Sequence, residues 1–298
     1  MILILSHKTD YTSDIVVDKL NQRRIQYYRL NSDDFQNVNL VINFYQEIKE
    51  EITSIWVRRF SLPQEIITSQ ESNWLYQEYR AFIFNYIVSK KVRIMSDPYS
   101  IDKAENKSLQ LSVAKDLGFN IPKTIITGNL EEIIKFRKYV NNSILIKPIY
   151  MNQINLENTE FQIFSNILKD SDLENYKNYT SFPSIFQEYI DKEYEIRVTV
   201  VGNKIFSAKV DSQSNPITKV DWRREKMKFE KYELPAEIEH ICFELLEKLN
   251  LSFGAIDLIK SKNGIYYFLE INPNGQWGWI QFDTDQPIAE AIIEWLEK

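Results

Sequence analysis

The chain opens on an unbroken apolar run, Met1 to Leu5, then turns polar, then runs into "IVVDKLNQRR", whose apolar positions recur at helical spacing. A short continuous apolar run reads as a buried strand, and the 3.6-residue period as an amphipathic helix. Ser13 or Asp14 is the expected N-cap of that helix. The same strand, loop, helix order returns through "SIWVRRF" and the aromatic-rich "NWLYQEYRAFIFNYIV". Residues 1–100 therefore predict a small α/β domain with a partly parallel sheet, and "IMSDPYSID", with Pro98, reads as a boundary loop.

Beyond it, "ENKSLQLSVAKDLGFNIPKT" places Leu109, Val113 and Leu117 on a helical stripe; Gly118 suits the C-terminal cap and Pro122 bars continuation. Lys107 stands at the start of this helix, where a cation gains nothing from the helix dipole. The mismatch points to an anion nearby. "NNSILIKPIY" predicts a short strand ending in Lys147, by itself an ordinary solvent-facing position. "SFPSIFQEYIDKEYEIRVTVVGNKIFSAKV" reads as a strand ending at "QEYI", a charged turn, and a hairpin around Gly202-Asn203. Glu195 and Arg197 share a strand face by the period of two, which an ordinary ion pair would also explain. In the irregular, basic "DSQSNPITKVDWRREKMKFEKY", Trp222 stands beside Arg223 and Arg224. An exposed loop is the default there, although guanidinium forks next to an aromatic also suit phosphate or carboxylate recognition.

The segment "GAIDLIKSKNGIYYFLEIN" reads as a hairpin about Asn263-Gly264, the strongest short signal for a type I′ turn. A two-residue loop pairs Lys262 with Ile265, and counting back sets Asp257 opposite Glu270, with Asn272 on the face of Glu270. Like charges directly opposed destabilise a sheet, so either the face is solvated or a cation sits between them. Asp, Glu and Asn without Cys or His suit Mg²⁺, an ion that commonly also binds substrate phosphates. The competing reading is the polar outer face of an ordinary hairpin. The chain closes on "DQPIAEAIIEWLEK", an amphipathic packing helix.

At 298 residues the chain exceeds the usual size of one core, so two or three subdomains are expected. A net charge of -6 argues against generic nucleic-acid binding. No apolar run approaches a membrane span, and the apolar N-terminus is too short for a signal peptide. The single Cys242 fits a reducing, cytoplasmic setting and lies on the apolar stripe of "EIEHICFELLEKL", a core thiol rather than a nucleophile. His7 and His240 are far apart, without a Ser, Cys or ligand cluster nearby, so a His triad or zinc site is not expected.

Taken in order, Lys107, Lys147, "QEYI", Glu195-Ile196-Arg197, Arg223, Asp257 and Glu270-Ile271-Asn272 resemble the ATP-grasp superfamily, from about residue 100 to the C-terminus. The resemblance implies an α/β (α+β) fold in three parts: an N-terminal pre-ATP-grasp domain (1–100), a central lid subdomain (101–187) and a C-terminal catalytic subdomain (188–298). It further implies Lys107 and Lys147 on the phosphates of ATP, Gln187, Glu188, Tyr189 and Ile190 as the adenine hinge, Glu195 on the ribose, and Asp257, Glu270 and Asn272 as Mg²⁺ ligands. "LEINPNGQWGWIQ", "VDWRR", "QEYIDKEYEIRVTVVGNKIFSAKV" and "IWVRRF" look most like the peptide-modifying ligases related to the ribosomal-protein glutamate ligases. More narrowly, they resemble the graspetide (microviridin-type) macrocyclases and grasp-with-spasm maturases. Such enzymes phosphorylate an Asp or Glu side chain of a precursor peptide and let Ser, Thr or Lys attack it, forming an ω-ester or ω-amide.

The expectations that follow are ATP, Mg²⁺, a precursor peptide of leader plus core, and a homodimer, with no nucleic-acid or membrane partner. Arg223, with Arg197 nearby, is expected to stabilise the tetrahedral oxygen, and Asp221 to orient the nucleophile or Arg223. Arg58, Arg59 and the aromatic helix from Trp74 to Tyr86 are candidates for the leader groove, core packing being the alternative for the aromatics. Two rival functions are a ligase adding a free amino acid or small amine, and a non-catalytic ATP-binding regulator. One departure from the pattern is that no glycine lies between Gly128 and Gly202, so "YMNQINLENTEFQIFSNIL" must close over a triphosphate by other groups, such as Asn and Ser.

Overall fold

The computed structural model describes residues 1–33, 40–42, 44–45, 51–60, 69–141, 143–150, 153–156, 159–176 and 182–298, with main chain alone at 153–156, 159–160 and 176. Near the N-terminus come β1 (Ile2–Ser6), α1 (Tyr11–Arg23), β2 (Tyr27–Asn31), β3 (Ser54–Val57), α2 (Gln70–Ser89) and β4 (Arg93–Met95). The four strands form a parallel sheet in the order β2-β1-β3-β4, crossed over by α1 and α2. β1 is buried throughout, as a strand covered on both faces must be.

Two local expectations change here, at α1 and at "SDPYSID", and the aromatic helix divides between core and surface. Helix α1 begins at Tyr11, so Ser13 and Asp14 lie inside it; Asp10 holds the N-cap position, its carboxylate engaged by Ser6, Thr12 and Ser13. In α2, Ile83, Phe84, Tyr86 and Ile87 are buried while Trp74 and Leu75 are exposed, and Ser69 and Ser72 form the capping box. "SDPYSID" is not a loop: Asp97 accepts from the backbone N–H groups of Tyr99 and Ser100 and starts α3 (Pro98–Ala104). Proline at the first helical position has no N–H to lose and a φ already suited to the helix.

Next follow α4 (Lys107–Asp116), β5 (Thr124–Thr127), α5 (Leu130–Val140), β6 (Ile144–Lys147), β7 (Gln153–Leu156), β8 (Thr159–Gln162), β9 (Asn166–Ile167), α6 (Asp170–Tyr176) and β10 (Ser184–Glu188). β5-β10-β6-β9 form an antiparallel sheet over a small core of Ile133, Phe136, Val140, Ile144, Leu168 and Phe186, while β7 and β8 pair as a separate ribbon. Helix α4 buries Gln110, Leu111 and Ala114, whereas Leu109, Val113 and Leu117 pack against the core only in part. The reason is Gln110, whose amide reaches the backbone N–H and carbonyl of Ile271 and the Ala104 carbonyl. A polar residue faces inward because a strand edge there needs partners.

The third sheet contains β11 (Lys192–Val201), β12 (Lys204–Val210), β13 (Glu230–Tyr232), β14 (Phe253–Ser261) and β15 (Tyr266–Asn272), all antiparallel in the order β13-β12-β11-β14-β15. The helix α7 (Ala236–Lys248), lying between β13 and β14 in the chain, buries Cys242, Leu245 and Leu246. Val201 pairs with Lys204 across the expected two-residue Gly202-Asn203 loop. After α8 (Gly278–Thr284), α9 (Ile288–Glu297) returns to the first sheet, where Ser54 Oγ donates to the Leu296 carbonyl. Ile2, Ile4 and Val16 share one core with Trp277, Ile288 and Ile292, so the two ends of the chain are packed together. Among the described residues no helix is long and apolar enough to cross a membrane.

The β14–β15 hairpin departs from its expected turn. Gly264 N–H donates to the Ser261 carbonyl and Ser261 N–H to Ile265, so the loop is Lys262-Asn263-Gly264, with Gly264 left-handed at φ 80°. This is the three-residue hairpin loop with glycine in the left-handed region rather than a type I′ turn. It displaces the pairing by one, to Lys260 with Tyr266 and Leu258 with Phe268. A bulge at Leu269 shifts it back, so Asp257 faces Glu270 and Ala255 faces Asn272.

Candidate active site

A cavity of about 420 Å³ lies between the second and third sheets. Every residue named above for nucleotide or metal lines it: Lys107, Lys147, Gln187 to Ile190, Glu195, Asp257, Glu270 and Asn272. Asp221 and Arg223 join them on its wall.

The carboxylates are set by the register. Glu270 accepts from Lys107 Nζ at 2.6 Å, which identifies the anion implied by a lysine at the start of α4. Asp257 accepts from Arg197 Nη1 at 2.8 and 2.9 Å, across β11 and β14. Asn272 Nδ2 stands 3.5 Å from an oxygen of each carboxylate. The two carboxyls titrate apart. Burial alone would raise Glu270, but Lys107, Lys147 and Arg223 outweigh it and hold the group at about 2. Asp257 is pushed up by burial and by Glu270, with Arg197 opposing. Two facing acids close to surrounding cations, plus an amide whose oxygen and nitrogen can exchange places, make an oxygen-only donor set; these residues fit Mg²⁺. Among the described residues no cluster holds three or more His, Cys, Asp or Glu side chains, so the fit rests on two carboxylates and Asn272.

The second sheet supplies the lysine and the hinge. Lys147 Nζ donates to Gln187 Oε1 at 2.6 Å, and Gln187 donates on to Thr124. The N–H groups of Glu188 and Tyr189 go to the Lys123 and Ser143 carbonyls, whereas Ile190 N–H takes no partner among the described residues. Burial lowers Lys147, opposed by Glu270 and Asp221.

Glu195 reaches Lys192 Nζ at 2.6 Å; this lysine is 2% exposed and also donates to the Val220 carbonyl at 3.1 Å. Burial raises Glu195, with Lys192 pulling the other way. Sequence reasoning missed Lys192, although a lysine three residues before an acid at a strand start was a readable signal.

Asp221 grips Arg223 by a fork, Nε to Oδ1 at 2.8 Å and Nη2 to Oδ2 at 2.6 Å. The carboxylate also accepts from the N–H groups of Ser165 and Arg223. Burial would raise Asp221, yet these donors leave it lowered and Arg223 raised. Arg224 donates to Ser165 and Asn166, tying the 3₁₀ turn Trp222–Arg224 to β9.

Arg58 does not belong to an exposed groove. It is 1% exposed, ion-paired to Asp10 at 3.4 Å, and donates to Thr12, Gln276 Oε1 and the Asn274 carbonyl. Arg197 Nη2 meets the Gln276 carbonyl at 3.1 Å, so two arginines from different sheets clamp the loop after Asn272. Gly275 makes the clamp possible, since a Cβ there would come 2.4 Å from Ala255 Cβ and 2.8 Å from Arg197 Nη2. Of the expected lid "YMNQINLENTEFQIFSNIL", Tyr150, Ile163 and Ser165 line the cavity, and the side chains of residues 151–160 lie outside those described.

Two sheets closing on a charged cavity beside a parallel N-terminal sheet define an ATP-grasp fold. Residues 102–296 match the RimK-like ATP-grasp domain, and the chain belongs to that family of ligases. In sequence it is similar to the tetrahydromethanopterin:alpha-L-glutamate ligase of Methanocaldococcus jannaschii, 22% identical over 268 residues, covering 87% of this chain and 84% of that protein. In structure it is similar to a Chryseobacterium gregarium RiPP-associated ATP-grasp ligase in complex with ADP and a leader and core peptide, with 28% identity and TM-score 0.88 over 99% of this chain and 96% of that one. It is also similar to the macrocyclase MdnC of Microcystis aeruginosa bound with precursor peptide MdnA, with 29% identity and TM-score 0.86 over 100% and 99%.

Proposed function

We propose that this protein is an ATP-dependent peptide macrocyclase, joining Asp or Glu side chains of a ribosomally made precursor to Ser, Thr or Lys side chains as ω-esters or ω-amides. The observation that carries the reading is full-length similarity to two ligases solved with their peptides, around a cavity holding the facing Asp257–Glu270 pair and the Asp221-held Arg223.

In this reading the hinge Gln187, Glu188, Tyr189 and Ile190 receives adenine, Glu195 the ribose, and Lys107 and Lys147 the phosphates. Asp257, Glu270 and Asn272 would hold Mg²⁺, which when bound neutralises phosphate charge. A substrate carboxylate oxygen attacks the γ-phosphorus and ADP departs, leaving an acyl phosphate. A hydroxyl or amine then attacks the acyl carbon, its proton is released, and phosphate leaves. Arg223, with Arg197 nearby, stabilises the oxygen charge that develops there. Asp221 acts as the orienting group: both its oxygens accept hydrogen bonds and it titrates low, so it is a poor base.

The test is intact-mass analysis of candidate precursor peptides, sought as short acidic, Ser/Thr/Lys-rich open reading frames near this gene, after incubation with the protein, ATP and Mg²⁺. Loss of one water per ATP consumed is expected. The similarity to glutamate ligases favours a second reading, addition of a free amino acid, and a mass gain with glutamate present would decide for it.

A further inference from the structure

Arg59 lines the same cavity and has no part in the mechanism above. It follows β3 in the left-handed region, at φ 49°, a conformation that costs a non-glycine residue energy and that clusters at ligand-gripping positions. Its buried neighbour Arg58 anchors the turn, and Arg59 Nε donates at 3.2 Å to the same carbonyl, that of Asn274, two residues beyond Asn272. The guanidinium is thereby fastened at one edge to the loop that follows Asn272, on the wall of the cavity that Asp257, Glu270 and Asn272 also line.

The remaining donors of Arg59 are what set it apart. Its two terminal nitrogens take no hydrogen-bond partner among the described residues, and no ion pair forms with Glu105 on the same wall. Each other cation lining the cavity is engaged: Lys107 by Glu270, Lys147 by Gln187, Lys192 by Glu195, and Arg223 by Asp221. A ligase of this kind must hold one more anion than its nucleotide brings, the carboxylate about to be phosphorylated. A planar fork with two free donors matches a carboxylate where an ammonium point charge does not.

We propose that Arg59 is the specificity-determining clamp for the acceptor carboxylate, holding the peptide's Asp or Glu side chain beside the γ-phosphate. This rests on the ligase reading above. It also assigns the parallel N-terminal sheet a part in substrate selection, delivered through the loop that carries Asn272.

The experiment uses the full chain and two synthetic forms of the precursor peptide that the intact-mass test finds modified, one with its acidic core residues intact and one with each replaced by the matching amide. Affinity for both is measured by calorimetry with ADP and Mg²⁺ present, alongside peptide KM and kcat. Wild type is expected to prefer the acidic form about 10- to 100-fold, the range of a charged hydrogen-bonded pair. In Arg59→Gln that preference should shrink to near unity and the peptide KM rise, with ATP affinity unchanged. Arg59→Lys, a charge without the fork, should fall between. If Arg59→Gln keeps the preference, or weakens both forms equally, the clamp is overturned while the ligase reading stands. If wild type modifies neither peptide and shows no preference, the macrocyclase reading fails and the clamp with it.

Discussion

Asp257 and Glu270 face one another across β14 and β15 because two irregularities in one hairpin cancel. The three-residue turn at Lys262-Asn263-Gly264 displaces the strands by one residue, and the bulge at Leu269 displaces them back. A one-residue slip would move every side chain of β15 to the opposite face. The bulge is therefore what places Glu270 and Asn272 in the cavity.

Asp257→Asn and Glu270→Gln should each lower ATP turnover about 10²- to 10³-fold, the usual cost of removing one preorganised charged group. Glu270→Gln also strips Lys107 of its partner, so it should weaken the seating of α4 on β15 more than Asp257→Asn does. Turnover titrated with Mg²⁺, beside circular-dichroism melts, checks both. Full activity in either variant removes that residue from the metal set.

The two carboxyls should respond differently to acid. Glu270 is depressed from 4.5 to about 2. Its contribution to stability is thus complete above its unfolded value and is lost as pH falls from there toward about 2. Asp257 is raised, so it takes up its proton first as pH falls. Mg²⁺ affinity, measured by calorimetry against pH, should decline on the acid side through Asp257 while Glu270 stays ionised. A wild-type affinity that first declines only as Glu270 takes up its proton, near 2, would contradict this order.

Gly275→Ala should destabilise the fold by about 1–3 kcal/mol, the cost of overpacking. The added methyl meets Ala255 Cβ, Arg197 Nη2 and Asn272 Cβ at 2.4, 2.8 and 3.2 Å, so the strain falls on the groups around Asp257. A thermal melt reads the stability, and a raised Mg²⁺ requirement at unchanged ATP affinity reads the local effect.

Lys192→Met removes the cation held against Glu195, and a buried charge stripped of its partner costs about 3–5 kcal/mol. Glu195 is already raised by burial, and without Lys192 it should rise further. A protonated acid accepts a ribose hydroxyl poorly, so the KM for ATP should climb as pH falls, more steeply than in wild type. A KM that tracks wild type across pH would place Lys192 outside the nucleotide site.

Much of this molecule was legible in one dimension. The N-terminal α/β domain, the Gly202-Asn203 hairpin and the buried Cys242 follow from local periodicity and turn chemistry, although the sheet expected to be partly parallel is parallel throughout; the order of charged residues along the C-terminal two-thirds spoke only through a family resemblance. Even the pairing of Asp257 with Glu270 was reached by counting, though through a turn that does not form. Local signals carry this far because strands and helices are decided over a few residues by side-chain spacing.

What only the tertiary structure decided are partnerships between distant residues. Lys107 finds Glu270 across 163 positions, and Arg58 reaches Asn274 across 216. Arg58 and Arg59 are adjacent and chemically identical, yet one is buried as an anchor and the other faces the cavity with its fork open. No periodicity separates them, because the difference is set by Asp10, Thr12 and the returning 274–276 loop, which meet them only when the chain has folded.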